Sequence, residues 1–324
     1  MMQRPILEVK NLSTTFHTFR GVIHAVSGVS FHLNEGEILG IVGESGSGKT
    51  VANLSLLHLV EGGVVQADVM RYQDIDLSSL KEKEMEKLRG AEISMIFQDP
   101  MSSLNPLYTI GHQIEESLKL HTKLNRKERR ARMIDLLSKV GISDPESRLK
   151  SYPFQYSGGM RQRIIIAIAL AVNPKIIIAD EPTTALDVTV QAQVLRLLTD
   201  LIHNESRSMI LITHDLGVVS KTTDRVVVMY AGKAMESGIT KDVIHEPMHP
   251  YTDGLLRSIP RFHENQERLY QIPGMVPRAY DLPKGCRFEP RCPKAQPICK
   301  NEEPPVRKMS NGREIACFFP ISKG

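Results

Sequence analysis

"EILGIVGESGSGKTVANLSLLHLV", residues 37 to 60, opens with an apolar run, breaks into a glycine-rich loop and continues with apolar residues at helical spacing. The order is strand, glycine loop, helix. Within it, Gly43 to Thr50 fits the spacing G-x-x-x-x-G-K-[ST], and chemistry explains the residue types. Glycines let backbone N–H groups curl around phosphate oxygens, a lysine ammonium reaches the β and γ oxygens, and the final hydroxyl can ligate Mg²⁺. The spacing assigns nucleotide-phosphate binding to Gly43, Ser45, Gly46, Ser47, Gly48, Lys49 and Thr50, with Thr50 also on the metal, and Val51, next along the helix, is counted with the ATP site. A merely flexible glycine turn would have no need of Lys49 and Thr50 behind it.

Three further apolar runs rich in β-branched residues each end in a polar residue: "ISMIFQ" (93–98), "KIIIAD" (175–180) and "MILITHD" (209–215). Such runs read as buried parallel strands, and open α/β sheets place their chemistry at the carboxyl ends of those strands. Asp180 is then expected to hold the metal through a water, and Glu181 beside it is the candidate general base for an attacking water. Gln98 is placed to ligate Mg²⁺ or orient water, and His214 to contact the γ-phosphate. Singly, each is weak, because an acidic pair at a strand end is as often a capped turn and a lone Gln or His there is more often structural. The phosphate loop gives them weight.

A fourth stretch, "YSGGMRQRIIIAIAL" (156–170), sets Ser157, Gly158 and Gly159 at the mouth of an apolar helix. A helix N-terminus carries unpaired N–H groups and the positive end of the dipole, so it reads as a second anion site, against the plainer reading of an N-capped core helix. Elsewhere, "ILEVKNLSTTF" and "AVSGVSFHL" read as short strands, and "RVVVMYAGKAMESG" as a hairpin around Ala231 and Gly232. Between Gln98 and Tyr156 the pattern is mostly helical, with "IGHQIEESLKLHTKL" and "RKERRARMIDLLSKVG" as amphipathic segments. The basic run Lys123, Arg126, Lys127, Arg129, Arg130 and Arg132 has no interleaved aromatics for base stacking, so it reads as a solvated helix face.

With 324 residues the chain can hold one large core and an appendage, or two modest domains. Charged residues at 24%, hydrophobic ones at 41% and a net charge of +4 are ordinary for a globular protein and do not argue for nucleic acid. The longest wholly apolar run, Ile164 to Val172, is about half of what a bilayer crossing needs, and "MMQRPILEVKN" lacks a signal-peptide core. The expected location is the cytosol, with attachment to a membrane through other subunits. Cysteine is absent before Cys286, and 12 of the 19 prolines follow residue 246. These shifts mark a boundary near 240 to 250, between a regular α/β body and a loop-rich extension.

Together these residues resemble the nucleotide-binding subunits of ATP-binding cassette (ABC) transporters. Phosphate loop, Gln98, "YSGGMRQR", "IIIADEP", "ALD" at Ala185 to Asp187 and His214 stand in that family's order and spacing, over about residues 5 to 245. The resemblance implies an α/β fold: an ABC-type P-loop nucleotide-binding domain over 1–245, with a RecA-like mixed sheet core, an antiparallel β subdomain and a helical subdomain at about 99–158. A small C-terminal cysteine-containing extension, 246–324, follows. It further implies two subunits meeting head to tail, each ATP lying between the phosphate loop of one chain and Ser157, Gly158, Gly159 and Asp187 of the other. Lys49, Gln98, Glu181 and His214 take the catalytic roles, Thr50, Gln98 and Asp180 hold Mg²⁺, and an aromatic stacks on adenine, Phe16 by first choice and Phe19 by second. Tyr156 stands where the family often has leucine and Met160 where it often has glutamine. The helical insertion is where transmembrane subunits normally dock.

"HPYT" (249–252) and "GCRFEPRC" (285–292) look like the C-terminal region of the oligopeptide and dipeptide importer ATPases, a group that includes nickel-transporting relatives. This resemblance implies an ATP-hydrolysing motor at the cytoplasmic face of the cell membrane. Its partners would be a second ATPase subunit in a heterodimer, two transmembrane permease subunits and an extracytoplasmic peptide-binding protein. ABC proteins that act on nucleic acid usually carry two cassettes or a long coiled-coil insertion, so no nucleic acid is expected. A nucleotide-gated subunit with little hydrolysis of its own is disfavoured by Glu181, His214 and the full "YSGGM" stretch. The four cysteines, spaced C-x₅-C-x₆-C-x₁₇-C with no histidine after His263, suit a soft metal. The resemblance favours a structural [4Fe–4S] cluster on Cys286, Cys292, Cys299 and Cys317, with Zn²⁺ as the alternative and four free thiols or two disulfides, the latter disfavoured by a reducing cytosol, behind both.

Overall fold

The computed structural model describes residues 4–184, 186–259 and 270–321. Along the chain run β1 (Leu7–Thr18), β2 (Gly21–Leu33), β3 (Ile38–Val42), α1 (Lys49–Leu56), β4 (Gly63–Gln66), β5 (Val69–Tyr72) and β6 (Ile75–Asp76). Next come α2 (Glu82–Leu88), β7 (Ile93–Ile96), α3 (Pro100–Ser103), α4 (Ile110–His121), α5 (Arg126–Lys139), α6 (Pro145–Arg148), α7 (Gly158–Ala169), β8 (Ile176–Asp180) and α8 (Val188–Asn204). The remainder is β9 (Ser208–Thr213), α9 (Leu216–Thr222), β10 (Arg225–Tyr230), β11 (Lys233–Ile239), α10 (Thr240–His245), α11 (Pro250–Arg257), α12 (Pro297–Asn301), β12 (Val306–Lys308) and β13 (Glu314–Ala316). The chain divides into two compact units, one formed by Met1–Ser79 with Leu211–Gly324 and one by Leu80–Ile210.

In the first unit, β1 and β2 form a long antiparallel hairpin from Leu7 opposite Leu33 to Thr18 opposite Gly21. β4 and β5 add to β1, with Phe16 opposite Gly63 and Leu7 opposite Tyr72. This is the antiparallel subdomain, longer than the two short strands expected. A mixed sheet lies in the same unit: β10 runs parallel to β3, with Val228 opposite Val42, and antiparallel to β11. The hairpin around Ala231 and Gly232 is as the pattern predicts. All five residues of β3 are buried, which explains a continuous apolar run in place of alternation.

The core under this sheet takes in Val42, Leu216, Val226, Val228 and Tyr230 together with Tyr251 and Phe288 from the proline-rich region. Tyr230 stacks obliquely on Tyr251 at 4.6 Å and meets Phe288 edge-on at 5.2 Å, an arrangement worth about 0.5–1.5 kcal/mol per pair beyond area burial. Further on, β13 pairs with β11 through Ile315 opposite Glu236, and β12 pairs with β13. Residues after 246 thus share the core of the phosphate-loop unit.

In the second unit β7 and β8 are parallel, Ile93 opposite Ile176 and Ile96 opposite Ala179. The two amphipathic segments are α4 and α5, burying Ile114, Leu118, Leu136 and Leu137 on one face each. Asn125 caps α5 in a reciprocal box with Glu128. Basic residues of α5 pair locally: Arg129 with Glu115 at 3.1 Å, Arg130 with Glu146 at 2.8 Å, Arg132 with Asp135 at 3.1 Å. No helix among the described residues is long and apolar enough to cross a membrane.

Candidate nucleotide-binding site

The loop after β3 is shaped by close approach of backbone. A Cβ on Gly43 would lie 2.1 Å from the Met229 carbonyl oxygen, and one on Gly48 would lie 2.4 Å from that of Ala25. Gly48 also has φ +93° and Gly46 φ +77°, left-handed values that suit glycine. Lys49, at the start of α1, is 5% exposed, and its ammonium donates to the carbonyls of Gly43 (2.7 Å) and Glu44 (3.0 Å) and to Ser47 Oγ (3.3 Å). The Asn53 amide donates to the Lys49 carbonyl at 2.9 Å, tying the first turn together. Ser45 and Gly46 face solvent, and Thr50 and Val51 are half-buried in the first turn of α1. A side-chain-free cradle ending in a helix N-terminus and a lysine fits a nucleotide's phosphates, and Thr50 supplies a hydroxyl for Mg²⁺.

In the same unit His214 is exposed directly after β9, where Asp215 caps α9 by accepting from Gly217 N–H at 2.7 Å. Phe16 is half-buried on β1 with its ring over Gly63, where an added Cβ would come within 3.0 Å of it. Phe19 sits at the hairpin tip, 95% exposed, with the Arg20 guanidinium 5.2 Å from its ring.

In the second unit, β8 ends at Asp180, 2% exposed, and Glu181 follows in a left-handed conformation with φ +44°. A non-glycine residue there stores roughly 1–3 kcal/mol of strain, a cost characteristic of functional turns. Gln98 and Thr184 hold the side chain: the Gln98 amide donates to Glu181 Oε2 at 3.1 Å and the Thr184 hydroxyl to the same oxygen at 2.8 Å. This brings together Gln98 and Glu181, 83 positions apart, at the carboxyl ends of β7 and β8.

Ser157 caps α7, its Oγ accepting from Met160 N–H at 3.4 Å, and Ser157 and Gly158 are exposed. A Cβ on Gly159 would fall 2.6 Å from Val190 Cγ1, so this glycine lets α7 close on α8. Asp187 caps α8, accepting from Val190 N–H at 2.9 Å. Ala185 lies outside the described residues.

Several residues around the loop escaped sequence reasoning. The Glu44 carboxylate is held by Arg291 through two hydrogen bonds of 2.6 and 3.1 Å, and the Glu44 N–H donates to Tyr251 Oη at 3.0 Å. Burial raises the Tyr251 phenol well above its ordinary range, so it remains protonated. Tyr251 lies in "HPYT" and Arg291 between two of the cysteines, stretches read only for their likeness and their thiols. Thr184 lay in view in "DEPTT".

The expected iron–sulfur or zinc site is overturned. Among the described residues no group of three or more His, Cys, Asp or Glu side chains is placed to hold a metal ion. All four cysteines are free, and burial pushes the Cys286 thiol up to about 11 and those of Cys292 and Cys317 upward as well. Cys299 is buried and Cys286, Cys292 and Cys317 are half-buried, and the extension carries no iron–sulfur or zinc site among the described residues.

Comparison with known proteins agrees with this geometry. Residues 26–184 match the ABC transporter family and residues 235–299 the oligopeptide/dipeptide transporter C-terminal region. The chain is 49% identical to the dipeptide transport ATP-binding protein DppD of Escherichia coli over 98% of its own length and 97% of that protein's. It is 50% identical to the oligopeptide transport ATP-binding protein AppD of Bacillus subtilis over 98% of each. Both names carry ATP binding. Among solved structures it superposes on the cassette MJ0796, a dimer in a post-hydrolysis state bound to ADP and Pi, with TM-score 0.64 and 28% identity over 72% of this chain and 98% of that one. It also superposes on cbiO1 from Clostridium perfringens with TM-score 0.62 and 28% identity over 75% and 92%. This chain belongs to the ABC transporter ATPases, in the family of dipeptide and oligopeptide transport ATP-binding proteins.

Proposed function

We propose that this chain is the ATP-hydrolysing motor of a membrane importer for dipeptides or oligopeptides. The observation that carries the cargo is that its likeness to peptide-transport ATP-binding proteins runs through the region after residue 235 as well as the cassette. The catalytic motifs alone fit any cargo, because a motor of this kind does not touch what is transported.

In this reading residues 1–245 form the nucleotide-binding domain, with a helical subdomain at about 99–158, and residues 246–324 the transporter-type extension. The phosphate-loop amides of Gly43–Gly48 and the Lys49 ammonium hold the β- and γ-phosphates, and Phe16 stacks on adenine. Thr50, Asp180 and Gln98 hold Mg²⁺, which when bound supplies positive charge to the phosphate oxygens. Glu181 takes the proton from the attacking water, Gln98 and Thr184 aim its carboxylate, and His214 steadies the γ-phosphate. Ser157, Gly158, Gly159 and Asp187 act on the nucleotide held by a second ATPase subunit, most simply a different chain. Two permease subunits dock on the helical subdomain at the cytoplasmic face of the membrane, and an external peptide-binding protein delivers cargo.

The test is uptake of a labelled dipeptide, a labelled tripeptide and ⁶³Ni²⁺ by cells carrying wild-type or Lys49→Ala protein. Loss of peptide uptake in the variant is the expected result. Intact peptide uptake, or loss confined to nickel, would overturn the peptide assignment.

A further inference from the structure

Arg291 is nearly buried, its side chain 5% exposed, and almost every polar atom of its guanidinium is directed. Besides the paired bonds to Glu44, Nε donates to the Pro273 carbonyl at 2.9 Å, Nη2 to that of Ile272 at 3.3 Å and Nη1 to Tyr230 Oη at 3.3 Å. Glu44 is the second residue of the phosphate loop and is engaged three ways: its carboxylate by Arg291, its N–H by Tyr251 Oη, and its carbonyl by the Lys49 ammonium. Arg291 is therefore one residue removed from the lysine that meets the phosphates.

A second arginine of the same segment holds the turn that supports the loop. Arg287 donates to the Ala231 carbonyl and to Ser27 Oγ at 2.8 Å. The adjoining Gly232 N–H donates to the Ser47 carbonyl at 2.9 Å, and Ser27 N–H to the Gly232 carbonyl at 2.8 Å. A buried ion pair adds little net stability compared with apolar packing of the same volume. A planar, bidentate guanidinium does fix the orientation of the carboxylate it holds. Placing two buried arginines of a proline-rich segment on the phosphate loop and on its supporting turn favours orientation over cohesion.

We propose that Arg291, assisted by Arg287, is a positioning residue for the phosphate loop, so that the C-terminal extension sets ATP affinity by holding Glu44 and, through it, Lys49. The inference rests on the ATP-binding reading and goes beyond it by giving the extension a part in nucleotide binding.

The test uses the full-length chain and trinitrophenyl-ATP fluorescence titration, with thermal unfolding recorded in parallel. Glu44→Gln leaves the other bonds of Arg291 intact, and Arg291→Lys keeps the charge while losing the fork. Both are expected to stay folded at the assay temperature and to raise Kd about tenfold, and Glu44→Gln combined with Arg291→Met to bind no worse than Arg291→Met alone, because the two act as one unit. Wild-type Kd in Glu44→Gln and Arg291→Lys, even with a lowered unfolding temperature, would overturn the proposal by reducing the pair to an anchor for the tail. Failure of the wild type itself to bind, alongside Lys49→Ala, would instead overturn the ATP reading beneath it.

Discussion

The Gln98 amide and the Glu181 carboxylate meet at 3.1 Å, joining the carboxyl ends of two parallel strands. That bond turns a strained, left-handed glutamate into an aimed one. Replacing Glu181 by Gln keeps the size and the capacity to hydrogen-bond but removes the proton acceptor. Steady-state phosphate release is expected to fall by about 10²–10⁴ while ATP binding persists. Unchanged turnover would remove Glu181 from the role of base.

Thr184 shares the same carboxylate oxygen at 2.8 Å. Thr184→Val is nearly isosteric and loses one hydrogen bond of roughly 1 kcal/mol, which corresponds to about a fivefold drop in kcat at constant KM. Gln98→Ala should act in the same direction and, because both residues orient one group, the double variant should fall short of the product of the two effects. Multiplicative effects would show that they act independently.

Gly48 is both left-handed, at φ +93°, and crowded, with the Ala25 carbonyl 2.4 Å from any added Cβ. Alanine there must displace backbone on β2 or reshape the phosphate loop. Strain of roughly 1–3 kcal/mol translates into about a fivefold to 150-fold weaker ATP affinity, read by equilibrium titration. By contrast, Gly62 lies outside the phosphate loop, so Gly62→Ala, strained by its positive φ but with nothing within 4 Å of the added Cβ, should lower stability and leave ATP affinity unaltered.

Ser157 separates capping from anion binding. Aspartate is as good an N-cap as serine, so Ser157→Asp should keep α7 and the unfolding temperature close to wild type. Its carboxylate would however repel a γ-phosphate brought to the exposed helix mouth. Phosphate release by the assembled ATPase pair should therefore collapse while the Lys49 loop still binds ATP. Wild-type turnover in Ser157→Asp would assign the residue to capping alone.

Local patterns made much of this fold readable. Lys49 behind a glycine loop, the burial rhythm of α4 and α5, and the turn at Ala231 and Gly232 all act over a few residues. β4, β5 and β6 left little trace, being two to four residues long and partly exposed at the margin of the antiparallel sheet. The links between distant positions left none. Glu44 and Arg291 are 247 residues apart, and nothing near either one names the other. Cysteine spacing points to thiolate chemistry at residues 286 to 317, yet spacing carries no information about the arginines between the thiols, of which Arg291 holds the loop at Glu44 and Arg287 holds the turn beside it.

His249 offers a pH-dependent test of how the extension is built in. It is fully buried, its Nδ1 accepting from Tyr251 N–H at 3.0 Å at the head of α11. The neighbouring charges are already committed, since Glu236 accepts from the Met248 and His249 N–H groups and pairs with Arg313. Burial lowers the imidazole pKa from 6.5 to about 3. Between those values the unfolded chain takes up a proton that the folded chain refuses, so the stabilisation is complete above pH 6.5 and lost as pH falls below it, at about 1.4 kcal/mol per pH unit. His249→Asn retains a cap acceptor and removes the titration. Urea unfolding at pH 7.5 and pH 5.0 should then show the wild type losing about 2 kcal/mol more than the variant on acidification, and equal losses would mean that the acid sensitivity lies elsewhere.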